Sequence, residues 1–257
     1  MSTFIGTNAD EIIIPGQVSA SVKVTGSPGT PSDADDIINA GGGNDIVAGG
    51  RGADQVFLGS GNDTFIWNPG DGSDLVEGQG GFDTLQFNGA NVAENINIGA
   101  NGSRVLMTRD VGNVTMDLNG MEQINFVALG GADNINVADL TGTDVKQVHV
   151  DLASQPGTGV GDGLADNVSV IGTSGDDAVK ITSGATETVV SGLAAETHVV
   201  GAESALDTVH VAGGDGNDAF DISGLAGGGP VIAIDGGAGT DSVNFKGTKT
   251  ADNILLQ

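Results

Sequence analysis

Residues 31–86 read PSDADDIIN, AGGGNDIVA, GGRGADQVF, LGSGNDTFI, then Trp67 and Asn68, then PGDGSDLVE and GQGGFDTLQ, which is one nine-residue unit repeated with a two-residue insertion. The sixth residue of every unit is aspartate, namely Asp36, Asp45, Asp54, Asp63, Asp74 and Asp83. The eighth residue is always apolar, namely Ile38, Val47, Val56, Phe65, Val76 and Leu85. Glycine crowds the first four positions of most units. A fixed short period of this kind is typical of a solenoid.

The composition of the unit predicts its backbone. Glycine adopts backbone angles that other residues avoid, so the glycine-rich part predicts a tight turn. The three residues that follow carry one inward apolar side chain, as a short strand does. Two such turn-strand units make one flattened coil, and coils stack at the strand spacing of about 4.8 Å. Units two apart therefore lie above one another, which places Asp36 over Asp54 and Asp45 over Asp63.

Stacked aspartates at this spacing point to a cation. Two carboxylates so close together repel each other strongly unless a positive charge lies between them. Calcium suits the gap because it accepts six to eight oxygen ligands from carboxylates and backbone carbonyls. A glycine-rich turn exposes such carbonyls. Ordinary turn chemistry favours glycine and aspartate as well, but it gives no reason for aspartate in one phase of every unit.

The unit resembles the GGxGxDxUx nonapeptide of RTX, or haemolysin-type, calcium-binding proteins. The stretch GGRGADQVF at 49–57 matches every fixed position, and LGSGNDTFI at 58–66 lacks only the first glycine. The resemblance covers residues 31–86 and rests on consecutive units. It implies a right-handed parallel β-roll, so the predicted fold class is an all-β parallel β-roll or β-helix solenoid with Ca²⁺ as its cofactor.

The resemblance also implies a ligand set for each ion. One turn supplies the carbonyls of positions two and four with its aspartate, and the turn two units away supplies the carbonyls of positions one and three with its own aspartate. Carried onto this chain, the implied sites are Ser32, Ala34 and Asp36 with Gly49, Arg51 and Asp54; Gly41, Gly43 and Asp45 with Leu58, Ser60 and Asp63; Gly50, Gly52 and Asp54 with Pro69, Asp71 and Asp74; and Gly59, Gly61 and Asp63 with Gly78, Gly80 and Asp83.

Similar units recur later in the chain. GGDGNDAFD at 213–221 and GGAGTDSVN at 236–244 keep the glycines and the aspartate, which adds Asp218 and Asp241 as candidate metal ligands. Shorter runs such as LADNVSV and GDDAVKI keep the aspartate and the apolar position. These later aspartates either bind calcium or cap turns, and a unit without a partner two units away would lack half of a site.

Charge and composition exclude several function classes. The chain has 34 acidic and 8 basic residues and a net charge of −26, which argues against nucleic-acid binding and against an anionic membrane surface. The 38% hydrophobic residues indicate a folded chain. Cysteine is absent, so neither disulfides nor thiolates contribute. We expect no membrane span and no Sec-type signal peptide at the N-terminus MSTFIGTNAD.

Three segments are predicted. Residues 1–30 read as a degenerate first unit, IGTNADEII with Asp10 in the aspartate position, followed by a Gly/Pro/Ser/Thr linker. Residues 31–91 form the predicted calcium roll. Residues 92–257 contain short β-type runs and scattered repeat-like units, which predicts an irregular β-solenoid, with an antiparallel sandwich as the alternative.

Other chemistry finds little support in the sequence. There is no HExxH motif and no GxSxG motif. His149, His198 and His210 alternate with valines, which predicts solvent-facing side chains, and no spacing places them on one face with a carboxylate for zinc. Trp67 is predicted to pack at the insertion, with sugar stacking as the alternative.

The sequence therefore predicts a calcium-binding β-solenoid without enzymatic activity, secreted from a bacterium and folding outside the cell, where calcium is abundant. The resemblance implies type I secretion with no cleaved signal peptide. The alternatives are a polysaccharide-acting β-helix enzyme of the epimerase or lyase type, and an adhesin or toxin-associated surface module. Whether a cell-surface, polysaccharide or protein partner exists is left open.

Overall fold

The computed structural model describes residues 1–247 and 254–256, and all its regular structure in those ranges is β-strand. The strands in chain order are β1 (Thr3–Ile5), β2 (Ile12–Ile14), β3 (Gln17–Val18), β4 (Lys23–Thr25), β5 (Ile37–Gly42), β6 (Ile46–Val47), β7 (Gln55–Ser60), β8 (Thr64–Trp67), β9 (Leu75–Gly80), β10 (Thr84–Asn88), β11 (Asn95–Asn101), β12 (Arg104–Arg109), β13 (Val114–Asn119), β14 (Gln123–Val127), β15 (Asn134–Val137), β16 (Gln147–Asp151), β17 (Asn167–Ile171), β18 (Ala178–Gly184), β19 (Glu187–Ser191), β20 (Glu196–Val200), β21 (Thr208–Ala212), β22 (Ala219–Gly227), β23 (Val231–Asp235), β24 (Ser242–Asn244) and β25 (Ile254–Leu256).

The chain divides into two compact units. Unit 1 comprises Met1–Gly89, Ala100–Asn125 and Gly142–Val145, and unit 2 comprises Ala90–Gly99, Phe126–Thr141 and Lys146–Gln257. Each unit contains strands of two facing sheets whose neighbours are mostly parallel. The all-β parallel solenoid predicted from the repeat is therefore confirmed.

Unit 1 stacks repeat units two apart, as the period predicts. In one sheet β5, β7 and β9 pair in parallel, so that Ile38 lies opposite Val56 and Val56 opposite Val76. In the other sheet β6, β8 and β10 do the same through Val47, Phe65 and Leu85. The eighth-position side chains all point into the space between the sheets and are fully buried: Ile38, Val47, Val56, Phe65, Val76 and Leu85.

The insertion is absorbed without loss of register. Trp67 extends β8, lies fully buried and stacks on Phe87 one coil later, with ring centroids 4.1 Å apart and planes at 3°. Its indole N–H donates to the carbonyl of Gly72 at 2.7 Å. The packing role predicted for Trp67 is confirmed, and the sugar-stacking alternative is wrong because the ring is inside the core.

Two details of the coil differ from the sequence prediction. The strands β5, β7 and β9 run for six residues instead of three, because the chain stays extended through the first positions of the next unit. The first-position residues Ala40 and Leu58 consequently point into the core and are fully buried. One turn of each coil is therefore much shorter than the other.

The N-terminal segment forms a coil of unit 1 ahead of the roll. β1 pairs with β5 and β2 pairs with β6, both in parallel, which sets Phe4 on Ile38 and Ile13 on Val47. Glu11, not Asp10, occupies the aspartate position, since Glu11 is buried and its backbone N–H donates a hydrogen bond to Oδ1 of Asp45. The assignment of Asp10 to that position was wrong by one residue.

Unit 2 is also a stack of parallel strands. One sheet runs β11, β15, β17, β21, β23 and β25, and the other contains β16, β20, β19, β18, β22 and β24. Antiparallel pairs are inserted at β18–β19 and β19–β20, as they are at β12–β13 in unit 1. The mainly parallel pairing fits a solenoid with antiparallel insertions and does not fit the antiparallel sandwich that was the alternative. The described ranges contain no helix of the length and apolarity that crossing a membrane demands.

Candidate metal sites

The aspartates of unit 1 form two columns that run from coil to coil. The first column is Asp36, Asp54 and Asp74, and the second column is Asp45, Asp63 and Asp83; each carboxylate is almost wholly buried. In both columns one carboxylate oxygen accepts a hydrogen bond from the backbone N–H of the aspartate one coil earlier. The N–O distances are 2.7 Å for Asp36 to Asp54 and for Asp45 to Asp63, and 2.9 Å for the next steps. The predicted stacking of aspartates is thus present across the insertion.

The other carboxylate oxygen of most column members accepts no hydrogen bond. This is so for Oδ2 of Asp45, Asp54, Asp63, Asp74 and Asp83, although each of these atoms is buried. A buried charged oxygen without a partner lowers the stability of the fold by roughly several kcal/mol unless a cation compensates its charge. The columns therefore contain rows of oxygen atoms that need a positive partner.

Asp36 differs from the others because of its own turn. Its Oδ2 accepts hydrogen bonds from the backbone N–H of Ser32 at 3.2 Å and from the Ser32 hydroxyl at 3.4 Å. Ser32 stands at the second position, where most other units have glycine. Both oxygens of Asp36 are therefore occupied within the protein, since Ser2 N–H donates to the first. Asp36 therefore has no carboxylate oxygen left without a hydrogen bond, unlike the other aspartates of the two columns.

The raised pKa values of the column aspartates also indicate that the columns lack a positive charge. Desolvation by burial raises the pKa of Asp54 to about 7 and that of Asp74 to about 8, and repulsion from neighbouring carboxylates adds to the rise. The same cause raises the pKa of Asp83 to about 7 and that of Asp45 to about 6. The backbone hydrogen bonds oppose these shifts but do not cancel them. A cation at Oδ2 would favour the ionised form.

Glycine is required where one coil passes over the next. A Cβ on Gly59 would lie 1.9 Å from the carbonyl oxygen of Gly41, and a Cβ on Gly61 would lie 1.7 Å from that of Gly43. Both glycines have positive φ, +112° and +129°. A Cβ on Gly49 would meet Oδ2 of Asp54 at 2.1 Å. The unpartnered oxygen thus faces into the glycine turn of its own unit, where backbone carbonyls line the space.

The remaining predicted ligands lie in these turns. Backbone carbonyls of the third position also accept hydrogen bonds from the preceding coil, as Ser60 does from Gly43 and Gly80 from Gly61, both at 2.9 Å. The carbonyl of Gly50 accepts from Gly72 at 3.1 Å. A carbonyl has a second lone pair, so these contacts do not prevent metal binding. The third-position side chains of Arg51 and Asp33 point outward and form an exposed ion pair at 3.8 Å.

Unit 2 contains two further columns. The third column is Asp133, Asp166 and Asp207, and the fourth column is Asp177, Asp218 and Asp241; the N–H to Oδ1 distances within them are 2.8–3.0 Å. Asp218 and Asp241 are therefore stacked neighbours and not isolated units. Oδ2 of Asp218 is buried without a hydrogen bond, whereas Oδ2 of Asp177 accepts from Thr173 at 2.7 Å. Thr173 stands at the second position, as Ser32 does in unit 1.

Some members of the columns were missed from the sequence. Glu11 precedes the second column, and Glu122 ends it by accepting the N–H of Asp83 at 2.7 Å. Glu122 carries no repeat signal, because the segment around it does not follow the nonapeptide. Asp133 does lie in a repeat-like segment, since GGAD at 130–133 is followed by alternating apolar residues and so keeps part of the unit.

The residues of unit 1 fit calcium on chemical grounds. All the donors are hard oxygens. Each site would combine two carboxylates, one from each of two stacked units, with backbone carbonyls of the turns, and together they can supply the six to eight oxygens that calcium takes. Across residues 1–247 and 254–256, no three His, Asp or Glu side chains surround one point. That is expected of sites built mainly from backbone carbonyls. Bound calcium would supply the positive charge that the buried oxygens lack.

Comparison with protein families gives an independent result. The model of the RTX calcium-binding nonapeptide repeat matches in four copies at residues 31–65 and 70–86. No curated protein matches the chain. The chain therefore carries RTX calcium-binding repeats, and they form the parallel β-roll of unit 1.

Proposed function

We propose that this chain is a secreted calcium-binding β-solenoid without enzymatic activity, whose folding is driven by calcium outside the cell. The observation that carries the proposal is the row of buried, unpartnered carboxylate oxygens in unit 1. Such a row destabilises the metal-free fold and stabilises the calcium-loaded one. RTX repeats are typical of extracellular proteins exported by type I secretion, which supports the proposed location.

The ions would lie in the glycine turns between stacked units. We propose the second, third and fourth sets as the tighter sites, namely Gly41, Gly43, Asp45, Leu58, Ser60 and Asp63; Gly50, Gly52, Asp54, Pro69, Asp71 and Asp74; and Gly59, Gly61, Asp63, Gly78, Gly80 and Asp83. The first set, Ser32, Ala34, Asp36, Gly49, Arg51 and Asp54, would be weaker because Ser32 already occupies Asp36. In unit 2, the proposed ligands are Asp218 and Asp241.

The energetic effect follows from binding linkage. Each ion that binds only the folded chain adds RT ln(1 + [L]/Kd), about 2.7 kcal/mol when free calcium is about 100-fold above Kd. Several sites in one column act together because neighbouring sites share a carboxylate. Residues 31–91 would then be the calcium-dependent part of the chain, preceded by segment 1–30 and followed by segment 92–257.

Calcium titration of the EDTA-stripped chain tests this function. We expect calorimetry to show several ions per chain, with a large rise in the melting temperature followed by circular dichroism. Magnesium at the same concentration is the control, since it demands a small octahedral site and holds its water. Identical melting in EDTA and in millimolar calcium would overturn the proposal.

A further inference from the structure

Two histidines of unit 2 lie face to face on the outer side of one sheet. β16 and β20 pair in parallel, with His149 opposite His198. The imidazole rings stack with centroids 4.4 Å apart and planes at 2°. Both rings lie on the outer face, as the alternation with valines predicts, but they are partly buried there. The in-register stacking of solenoid strands brings together two residues that are far apart in sequence.

Two glutamates share this face with the histidines, contrary to the prediction that no carboxylate would. Oε1 of Glu187, on the neighbouring strand β19, lies 2.8 Å from Nδ1 of His198 and forms a hydrogen bond with it. Oε1 of Glu196 lies 2.7 Å from Nε2 of the same ring, yet that nitrogen has no hydrogen bond. The carboxylate of Glu196 is therefore close to the nitrogen without the alignment that a shared proton requires.

The second ring adds another available nitrogen. Nε2 of His149 is buried and takes part in no hydrogen bond. The cluster thus offers two imidazole nitrogens and one carboxylate oxygen close together, with a second carboxylate behind one imidazole. A carboxylate on the far nitrogen of a ligating histidine is the usual outer support of a zinc site, because it fixes the ring and raises its basicity.

We propose that His149, His198 and Glu196 bind one transition-metal ion of the zinc class, with Glu187 orienting His198. Two histidines, one carboxylate and a water are a ligand set that zinc accepts in tetrahedral geometry. The chemistry differs from that of the aspartate columns, which offer only oxygen and suit calcium. The net charge of −26 attracts cations to both kinds of site.

The side chains must adjust slightly to bind. Among the residues that the structure describes, no three metal-ligating side chains already converge on one point. Parallel stacked rings explain this, because their nitrogen lone pairs lie side by side. Rotation of the two rings, a fast motion for side chains near the surface, would turn both Nε2 atoms toward the ion. The site is thus completed by the metal.

Zinc binding to the calcium-saturated chain tests the proposal. With calcium in excess, we expect one equivalent of zinc by calorimetry, bound without displacing calcium. His149→Gln and His198→Gln should abolish this binding. Glu187→Gln should weaken it about 10- to 100-fold, the usual effect of an outer-shell change. His210→Gln is the matched control, since His210 lies on the other sheet of the same unit, opposite Ser169 on β17.

Cobalt(II) gives a second, spectroscopic readout. Substituted into the wild-type chain, it should show the intense visible absorption of a four-coordinate site, and His149→Gln should remove it. The proposal is overturned if zinc uptake is the same in all variants, if zinc only competes with calcium, or if cobalt shows the weak spectrum of the hydrated ion. Circular dichroism in calcium checks that each variant is folded.

Discussion

At the residue scale, a hydroxyl-bearing residue at the second position of a unit changes the hydrogen bonding of the aspartate four residues later. Where that position is glycine, as in Gly41, Gly50 and Gly59, Oδ2 of the aspartate is left without a hydrogen bond. Where it is Ser32 or Thr173, the side chain and backbone of that residue bind the oxygen instead. A single hydroxyl-bearing side chain therefore replaces part of what a calcium ion would provide.

Asp54→Ala should impair more than one calcium site. Asp54 lies between Asp36 and Asp74 in the first column, so its carboxylate is shared by two neighbouring gaps. We expect calorimetry to show a lower stoichiometry together with weaker binding at the sites that remain. Asp33→Ala is the control, because the Asp33 side chain in the same region is 82% exposed. Unchanged stoichiometry and affinity in Asp54→Ala would show that the proposed ligand register is wrong.

Gly59→Ala should destabilise unit 1 by far more than the cost of placing alanine at the positive φ of Gly59. The added Cβ would lie 1.9 Å from the carbonyl oxygen of Gly41, and neither backbone can withdraw without opening the coil spacing. We expect a loss of more than about 3 kcal/mol in unfolding free energy in calcium. The control is Gly70→Ala, since Gly70 has a φ of +104° but nothing within 4 Å of the Cβ. Its cost should be about 1–2 kcal/mol, measured by chemical denaturation.

At the scale of elements, the two sheets of unit 1 are joined by a core that depends on strand alternation. The strands β5 to β10 each contribute one eighth-position residue. The insertion adds Trp67, which packs against Phe87 and lies beneath the guanidinium of Arg109, 5.3 Å from the ring centroid. The columns of aspartates lie at the turns that connect these strands. Strand packing and carboxylate stacking consequently impose the same register.

Trp67→Ala should cost about 3–5 kcal/mol of unfolding free energy, the usual range for a buried aromatic residue. The ring is fully buried and also donates to the Gly72 carbonyl. Chemical denaturation in calcium, followed by far-ultraviolet circular dichroism, measures the effect. Phe82→Ala is the control, since Phe82 is 40% exposed and its loss should change stability by less than about 0.5 kcal/mol. Equal effects of the two changes would contradict the packing described here.

The stability of the metal-free chain should fall as pH rises from about 4 to about 8. Burial raises the pKa values of Asp45, Asp54, Asp74 and Asp83 to between about 6 and about 8 in the folded state. Unfolded aspartate titrates near about 3.9. Between these values the folded state binds more protons than the unfolded state, so unfolding free energy decreases with pH. Denaturation in EDTA should show this decrease, and saturating calcium should suppress it. A metal-free midpoint that is constant or rises over this range would contradict the described burial.

Much of this architecture could be predicted from the sequence, because the signals are local and periodic. The spacing of Asp36, Asp54 and their neighbours fixes which units stack, and the eighth position fixes the core. The roles of Glu11 and Glu122 could not be predicted in this way, since both depend on contacts between coils: the backbone N–H of Glu11 donates to Asp45, and the Glu122 carboxylate accepts from the backbone N–H of Asp83. The pairing of His149 with His198 was also missed, because it depends on how many residues lie between their strands in an irregular part of the chain.

At the scale of the whole molecule, the two units differ in how many unpartnered carboxylate oxygens they contain. In unit 1 they belong to Glu11 and to five column aspartates, namely Asp45, Asp54, Asp63, Asp74 and Asp83. In the part of unit 2 that the structure describes, Asp218 of the fourth column carries such an oxygen, while Asp177 and Asp207 are bonded to their own turns. Unit 1 should therefore depend more strongly on calcium than unit 2.

Calcium removal should unfold unit 1 before unit 2. The chain has a single tryptophan, Trp67, so its fluorescence reports on unit 1 alone, whereas far-ultraviolet circular dichroism reports on strands of both units. In EDTA we expect the fluorescence transition at a lower temperature than the dichroism transition. In millimolar calcium the two should move together. Coincident transitions in EDTA would mean that the two units share one dependence on the metal.

The hydrogen bonds between coils of unit 1 have a consequence for how such a chain can change in length. The aspartate carboxylates at position six accept hydrogen bonds from backbone N–H groups of the coil before. The side-chain oxygens of Asn44 and Asn62 at position five accept instead from backbone N–H groups of the coil after, at N–O distances of 2.7 and 2.9 Å. The junctions along the second column therefore use the same chemical groups, and Glu122 closes the last one with a carboxylate from outside the repeat. An in-frame duplication of one coil would create no new kind of contact, so gene duplication can lengthen the roll stepwise while its end remains the same.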